Sequence, residues 1–333
     1  MTSEYSRLRS GSRRGPAAET SPRWSRCRPR RGYDAAVTIP DPAALDAAIG
    51  DVDWTALPPG VVRDTVRAPS GPLARLRMSA SGHGGPRGRI VLVPGSTGSK
   101  EDFLLMMPLL ARAGYDVEAF DMAGQYESWQ AGPERLDPPE AHYTDRLYVD
   151  DLLAVLATGP TPAHLMGYSY AATIAELVAV ERPELIASLT LLSAPTLPGR
   201  TFRNFRVLGP LSLLVPGRVL GRLMVAALRL SFSPARPRRA RFIRERFLLT
   251  RTDSVADITQ SMTRTPRLDG PLRATGVPVL VAAGTHDIWT PRAHRAHARR
   301  LGARFRLFRS GHAVCETAPH QLSAALLEFL AQA

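Results

Sequence analysis

The sequence predicts an α/β protein with a mostly parallel β-sheet that is covered by helices on both faces. Continuous apolar runs such as Ile90–Val93 and Val279–Ala283 are typical of strands buried on both faces. Segments with helical periodicity follow most of these runs after short links, and this alternation is typical of parallel sheets. At 333 residues the chain exceeds an average domain, which favours one large domain with an insertion, or two domains.

Eight strands are predicted in chain order, and the first two are joined by the turn residues Pro69 to Pro72. The predicted strands are Val61–Ala68, Leu73–Ser79, Ile90–Val93, Val117–Asp121, His164–Tyr168, Leu185–Leu192, Val277–Ala283 and Phe305–Phe308. A helix is expected to begin after Ser99, a typical N-cap, and to end near Ala113 and Gly114. The further predicted helices are Asp145–Ala157, Tyr170–Val180, Pro291–Leu301 and Pro319–Leu330.

Composition divides the chain into a tail, a core and an insertion. Residues 1–40 hold nine arginines, three acidic residues and few apolar side chains, so we expect a disordered basic tail. Residues 41–198 and 271–333 are expected to form the core. Residues 199–270 fall after the sixth strand and are interpreted as a helical cap, with apolar helices in Leu208–Phe232 and a basic helix or loop at Arg236–Arg246.

The net charge of +13 raises the question of an anionic partner. Lys100 is the only lysine, and an almost exclusive use of arginine is what the codon bias of a GC-rich genome produces. The basic patches also lack a recognisable nucleic-acid-binding signature, so we expect no nucleic-acid partner. The basic cap could attract an acidic substrate or an anionic carrier protein. We favour the alternative that it is a solvated, arginine-rich surface.

The remaining composition is that of a soluble cytoplasmic protein. Cys27 and Cys315 cannot form a disulfide framework and suit a reducing compartment. No run of 18 apolar residues is present, so stable membrane insertion is not expected. The basic start lacks the apolar region of a secretory signal.

Gly167-Tyr168-Ser169-Tyr170-Ala171 is the strongest local motif, because it follows a buried strand and opens a predicted helix. A serine at such a sharp turn adopts a strained backbone and is raised above the sheet. The turn needs small residues two positions before and after the serine, which Gly167 and Ala171 provide. A serine after a strand is more often a helix cap than a nucleophile, so the motif needs catalytic partners elsewhere.

Those partners follow two later strands. Asp287 comes after the run Val279–Ala283, and His312 comes after Phe305–Phe308. A serine nucleophile needs a histidine base and an acceptor that fixes the tautomer of that base. We therefore predict Ser169, His312 and Asp287 as nucleophile, base and acid at the carboxyl ends of the strands.

Together these residues resemble the α/β-hydrolase superfamily over roughly residues 61–333. Pro94 to Ser99 resembles the family's oxyanion loop, departing from it at Pro94, and Asp121 to Gln125 resembles the turn after its fourth strand, with a departure at Tyr126. The resemblance implies an α/β-hydrolase fold, no cofactor, and an oxyanion hole formed by the backbone amides of Ser96 and Tyr170.

Further residues could border the site or bind a metal. Tyr168 and Trp289 are predicted to border the substrate pocket, because they neighbour Ser169 and Asp287. His294 and His297 lie three residues apart on a predicted helix and could share a metal, but no further ligand is near, so we interpret them as solvated surface. Two carboxylate pairs, Glu101-Asp102 and Asp150-Asp151, are interpreted as helix caps and exposed faces. No metal site is predicted.

The predicted function is hydrolysis of an ester, thioester or related acyl bond of a small molecule through an acyl-enzyme. The same residues could instead serve acyl transfer or cyclisation in a biosynthetic pathway. A non-catalytic binding protein on this fold is a third hypothesis, although a binding protein would have no need of all three triad residues. The molecule that is cleaved does not follow from fold and triad.

Overall fold

All eight predicted strands form one sheet in the computed structural model, which describes residues 41–82, 85–196, 219 and 235–333. Their bounds differ from the predicted ones by no more than two residues. The strands are β1 Val61–Ala68, β2 Gly71–Met78, β3 Gly88–Val93, β4 Tyr115–Phe120, β5 Ala163–Tyr168, β6 Ile186–Leu192, β7 Val279–Gly284 and β8 Arg304–Phe308.

The sheet is mostly parallel, as predicted, with the strand order β1-β2-β4-β3-β5-β6-β7-β8. β2 pairs antiparallel with both β1 and β4, whereas every later pairing is parallel. The register aligns Val93 of β3 with Gly167 of β5, and Tyr168 with Leu192 of β6. The carboxyl ends of these strands therefore share one edge of the sheet, where ligand chemistry collects in open α/β folds.

Helices cover both faces of the sheet. The described helices are α1 Pro42–Ala47, α2 Met107–Arg112, α3 Asp145–Leu156, α4 Tyr170–Glu181, α5 Pro237–Leu249, α6 Thr252–Met262, α7 Asp269–Ala274, α8 Pro291–Leu301, α9 Val314–Thr317 and α10 Pro319–Leu330. Helices α3, α4 and α8 contribute to one apolar cluster, and α2, α9 and α10 contribute to the other. The predicted α/β-hydrolase architecture is confirmed.

The two clusters explain why the strand sequences are continuously apolar. Val91 and Val93 of β3 point into one cluster, and Ile90 and Leu92 point into the other. All four side chains are buried, because successive residues of a strand face opposite sides of the sheet. A strand covered on both faces therefore needs an apolar residue at every position.

The single helix predicted after Ser99 is divided in the structure. Lys100–Phe103 forms a 3₁₀ turn that Ser99 and Asp102 close with a capping box, and α2 begins only at Met107. Pro108 lies in the first turn of α2, where its missing N–H removes no helical hydrogen bond. The proline thus favours a new helix start in the middle of the predicted element.

The insertion after β6 packs against the loop that follows β4. The ring of Phe242 in α5 lies 5.5 Å from the ring of Tyr126. Ser254 of α6 accepts a hydrogen bond from the side chain of Gln125. The basic segment predicted at Arg236–Arg246 is therefore mostly helical, and it lies near the sheet edge that carries the candidate site.

Several predictions fall on residues whose structure is not described. The tail at 1–40 lies outside the described residues, as do residues 197–218 and 220–234, which include nearly all of the apolar stretch Leu208–Phe232. The cap boundaries at 199 and 270 therefore stay predictions. Within 41–82, 85–196 and 235–333, no helix is long and apolar enough to cross a membrane.

Candidate active site

Ser169 forms the one-residue turn between β5 and α4. Its backbone adopts φ 55° and ψ −122°, a conformation that costs a non-glycine residue about 1–3 kcal/mol. Its amide donates to the carbonyl of Leu192 at 2.8 Å, which ties the turn to β6. A Cβ on Gly167 would lie 2.7 Å from Cα of Ala172, so only glycine allows the helix to leave the strand this closely. The sharp turn predicted from the motif is present.

Asp287 and His312 lie on two loops that hold each other. The amide of His286 donates to the carbonyl of Ser310 at 2.9 Å. A Cβ on Gly284, at the end of β7, would lie 2.5 Å from that same carbonyl oxygen. The loop after β7 can approach the loop after β8 this closely because residue 284 has no side chain.

The structure brings Ser169, His312 and Asp287 together, although His312 lies 143 positions after Ser169 in the sequence. His312 Nε2 lies 3.1 Å from Ser169 Oγ, and His312 Nδ1 lies 2.7 Å from Asp287 Oδ1. The Asp287 side chain is fully buried, whereas a quarter of the His312 side chain is exposed. The imidazole therefore connects a fully buried carboxylate with the serine hydroxyl.

The charge state of Asp287 defines the tautomer of His312. Burial raises the pKa of the Asp287 carboxyl, but hydrogen bonds with His294 and His312 outweigh burial and hold the pKa well below its usual range. An ionised carboxylate can only accept, so the short contact assigns the proton to Nδ1 of His312. Nε2 is then free to accept the proton of Ser169 Oγ.

Of the predicted oxyanion residues, Tyr170 directly follows the serine, and Ser96 lies on a loop that approaches it. A Cβ on Gly95 would lie 2.9 Å from Cβ of Ser169, so the loop after β3 passes directly over the turn. The amide of Thr97 is occupied by Gln125 Oε1 at 2.9 Å. The amides of Ser96 and Tyr170 donate no hydrogen bond to any group that the structure describes. Both amides are thus available to an oxygen bound at Ser169.

Tyr168 and Trp289 both pack against the imidazole of His312. The ring centroids lie 5.3 Å from the imidazole for Tyr168 and 5.6 Å for Trp289. Both residues are at least nine-tenths buried. These contacts confine the histidine ring, while the predicted role in binding substrate stays a prediction.

The sequence prediction missed two residues beside the triad. His294, interpreted as solvated surface, is fully buried, and its Nε2 lies 3.2 Å from Asp287 Oδ2. Ser193, at the end of β6, donates through Oγ to the carbonyl of His312 at 2.9 Å. The signal for His294 was the helical spacing of His294, His297, Ala298 and Leu301, which marks the buried face of α8.

His297 was wrongly placed on the surface as well. It is buried, and its Nε2 lies 3.5 Å from Glu176 of α4. The described residues contain no group of three or more potential ligands that could hold a metal ion. The two histidines of α8 therefore face different carboxylates and do not converge on one point.

The carboxylate pair Glu101-Asp102 is buried and not exposed as expected, although Asp102 does form the expected cap with Ser99. Asp151 of the other pair is buried as well. Asp102 Oδ1 accepts from Arg239 at 2.7 Å and from Arg246 at 2.8 Å, and Arg239 also pairs with Glu316. Burial opposes ionisation of Asp102, but these two arginines hold its pKa below the usual value. We call Asp102, Arg239, Arg246 and Glu316 the α5 ion cluster.

The α5 ion cluster connects three segments that surround the candidate site. Asp102 follows the loop of Ser96, Glu316 follows the loop of His312, and both arginines belong to α5. The other arginines of α5 are exposed, as expected for a solvated basic face: Arg238, Arg241 and Arg244. The basic helix therefore has two chemically different sides.

Solved structures of other proteins share this fold. An esterase from Thermogutta terrifontis aligns with a TM-score of 0.65 and 21% identity over 81% of this chain and 98% of its own. An enol-lactonase from Burkholderia xenovorans aligns with a TM-score of 0.67 and 19% identity over 80% of this chain and 100% of its own. At such identities the likeness concerns the fold.

Comparison of the sequence with protein families shows the family to which the chain belongs. A search of curated proteins found no significant match. The profile described as "Alpha/beta hydrolase family" matches residues 90–325, a span that includes Ser169, Asp287 and His312. With the sheet order, the turn at Ser169 and this match in hand, we conclude that the chain belongs to the α/β hydrolase family.

Proposed function

We propose that the protein is a serine hydrolase that cleaves an ester, thioester or related acyl bond of a small molecule. The observation that carries this proposal is the position of His312, which hydrogen-bonds Ser169 on one side and Asp287 on the other. This is the arrangement in which a histidine activates a serine hydroxyl and an aspartate fixes the histidine tautomer. The similar structures include an esterase and an enol-lactonase, which act on ester bonds.

In the first half-reaction, Ser169 Oγ forms a bond with the acyl carbon while its proton moves to Nε2 of His312. The carbonyl oxygen becomes an oxyanion that accepts from the amides of Ser96 and Tyr170, the two donors that no described group occupies. Each such donor typically contributes a factor of about 10²–10³ in kcat. His312 then returns the proton to the leaving alkoxide or thiolate, which departs and leaves an acyl-serine.

In the second half-reaction, His312 takes a proton from water while the water oxygen bonds the acyl carbon. The bond to Ser169 Oγ breaks, the proton returns to the serine, and the carboxylic acid leaves. Asp287 remains ionised throughout, because its hydrogen bonds outweigh the effect of burial on its pKa. It thereby stabilises the imidazolium that forms twice in each cycle.

The insertion after β6 is proposed to shape the acyl pocket. Two of its helices are anchored near the site, α5 through the α5 ion cluster and α6 through the contact of Ser254 with Gln125. A cap over the strand ends excludes water and sets the size of the substrate. The length of the acyl group that the enzyme accepts would then depend on the insertion and not on the triad.

The test is labelling with a fluorophosphonate, followed by turnover of p-nitrophenyl esters of graded chain length. The parent should be labelled, with heat-denatured protein as the control, and Ser169→Ala should remain unlabelled with kcat lower by about six orders of magnitude. Asp287→Asn should lower kcat by about 10⁴, because the base stays in the wrong tautomer. Activity of Ser169→Ala within tenfold of the parent would contradict the proposal.

A further inference from the structure

The first turn of α8 carries a second histidine to the carboxylate of Asp287. Thr290 caps the helix by accepting from the amide of Ala293, and His294 is the next residue. His294 Nε2 lies 3.2 Å from Oδ2 of Asp287, and His312 Nδ1 lies 2.7 Å from Oδ1. Each oxygen of the carboxylate thus meets one imidazole.

The tautomer of His294 follows from its surroundings. The side chain is fully buried, and none of the residues that the structure describes offers a hydrogen-bond partner to its Nδ1 atom. A proton on Nδ1 would be a buried, unsatisfied donor, which costs about 1–3 kcal/mol. A proton on Nε2 avoids this cost and is donated to Asp287. His294 therefore adds a directed hydrogen bond to the carboxylate.

Trp289 contacts both histidines. Its ring centroid lies 6.1 Å from that of His294 and 5.6 Å from that of His312, edge to face in both cases. A rotation of the Asp287 carboxylate about its Cβ–Cγ bond would break the contact with His294 and lengthen the contact with His312. The hydrogen bond from His294 opposes that rotation.

We propose that His294 is a positioning residue that orients the Asp287 carboxylate so that Oδ1 stays aimed at Nδ1 of His312. This inference rests on the proposed function, since it assigns His294 a role in the triad. His294 does not reach Ser169 or the oxyanion amides, so its loss should affect the chemical step and not the binding of substrate.

His297 provides a matched control on the same helix. Like His294 it is a buried histidine, but its Nε2 faces Glu176 and not Asp287. His294→Phe and His297→Phe both replace a buried imidazole by a ring of similar shape. Both should lower stability, whereas only His294→Phe should lower kcat, by about 10- to 100-fold with KM unchanged.

A second pair of variants keeps the test valid if the Phe variants do not fold. The amide nitrogen of His294→Gln can reach the position of Nε2, whereas His294→Asn is one methylene shorter and cannot. We expect kcat for p-nitrophenyl acetate to be at least tenfold higher for the Gln variant than for the Asn variant. The rate constant of fluorophosphonate labelling should change in parallel, because it also requires an activated Ser169.

Equal kcat values for the Gln and Asn variants, or for His294→Phe and His297→Phe, would overturn the proposal for His294. This failure is distinct from failure of the proposed function. In the first case Ser169→Ala still abolishes labelling and turnover. In the second case Ser169→Ala retains them, whatever the variants of His294 do.

Discussion

Replacing Asp102 by Asn tests whether the α5 ion cluster stabilises the fold through charge. The substitution keeps the shape of the side chain and removes one negative charge from a site that is 2% exposed. Among the described carboxylates, Arg246 then loses its partner and Arg239 keeps Glu316 alone. An arginine left without its counter-charge in a buried position is strongly destabilising, since the guanidinium cannot shed its proton.

The magnitude follows from burial. Removing one partner of a buried ion pair costs about 3–5 kcal/mol, and weakening the capping box with Ser99 adds to that loss. The surface pair of Asp150 with Arg146 has side chains that are 40% and 51% exposed, so solvent screens it. Asp150→Asn is therefore the matched control, with an expected cost below about 1 kcal/mol.

Urea unfolding at pH 7, followed by fluorescence and circular dichroism, measures both variants against the parent by linear extrapolation. Asp102→Asn should lower the free energy of unfolding by about 3–5 kcal/mol. A loss no larger than that of Asp150→Asn would refute the reasoning. It would mean that the charges of the α5 ion cluster stabilise the folded state no more than a solvated ion pair does.

The same prediction has a pH dependence with a defined sign. The folded state holds the pKa of Asp102 below its usual value. The stabilisation is therefore present above the unfolded pKa, near 3.9, and is lost as the pH falls through the lower folded pKa. The difference in stability between the parent and Asp102→Asn should shrink in strong acid.

Two further predictions concern other parts of the core. Gly284→Ala places a Cβ 2.5 Å from the carbonyl oxygen of Ser310, so it should lower both stability and kcat. Gly270→Ala in α7 should leave kcat unchanged, because no atom of the described residues outside this helix lies within 4 Å of the added Cβ. Equal kcat for both variants would contradict the proposed close approach of the loops. Burial, opposed by hydrogen bonds from Ser70, raises the pKa of Asp151 to about 7. Stability should therefore fall by up to ~1.4 kcal/mol per unit as the pH rises from about 4 to 7, and in urea unfolding Asp151→Asn should remove this slope; an unchanged slope would contradict it.

Local pattern was sufficient to predict most of the fold. Strands buried on both faces need apolar residues at every position, so runs such as Ile90–Val93 can be recognised as strands from the sequence. Pro108 shows the limit of this approach, because it starts a new helix inside a segment whose periodicity favoured one continuous element. A proline early in a helix and a proline that breaks one look alike until the backbone is known.

The interpretation of charged and polar side chains was less successful, because their burial depends on distant partners. His294 was assigned to the surface, and Asp102 to a helix cap on an exposed face. Asp102 does form the cap with Ser99, but both side chains are buried against partners that were not predicted. Asp102 lies 144 positions before Arg246, and nothing in either local sequence indicates the pairing. A buried charge needs hydrogen bonds or an opposite charge from groups that the fold brings to it.

The sequence by itself determined the strands, their alternation with helices and the order Ser169, Asp287, His312, each after its own strand. These features depend on local periodicity and on a motif of five residues, and both are properties of neighbouring positions. Only the tertiary structure decided that His294 meets the second oxygen of Asp287, and that Arg239 and Arg246 turn inward to Asp102. The physical reason is that these contacts join segments far apart in the chain, which become neighbours only when the fold brings them to the same edge of the sheet.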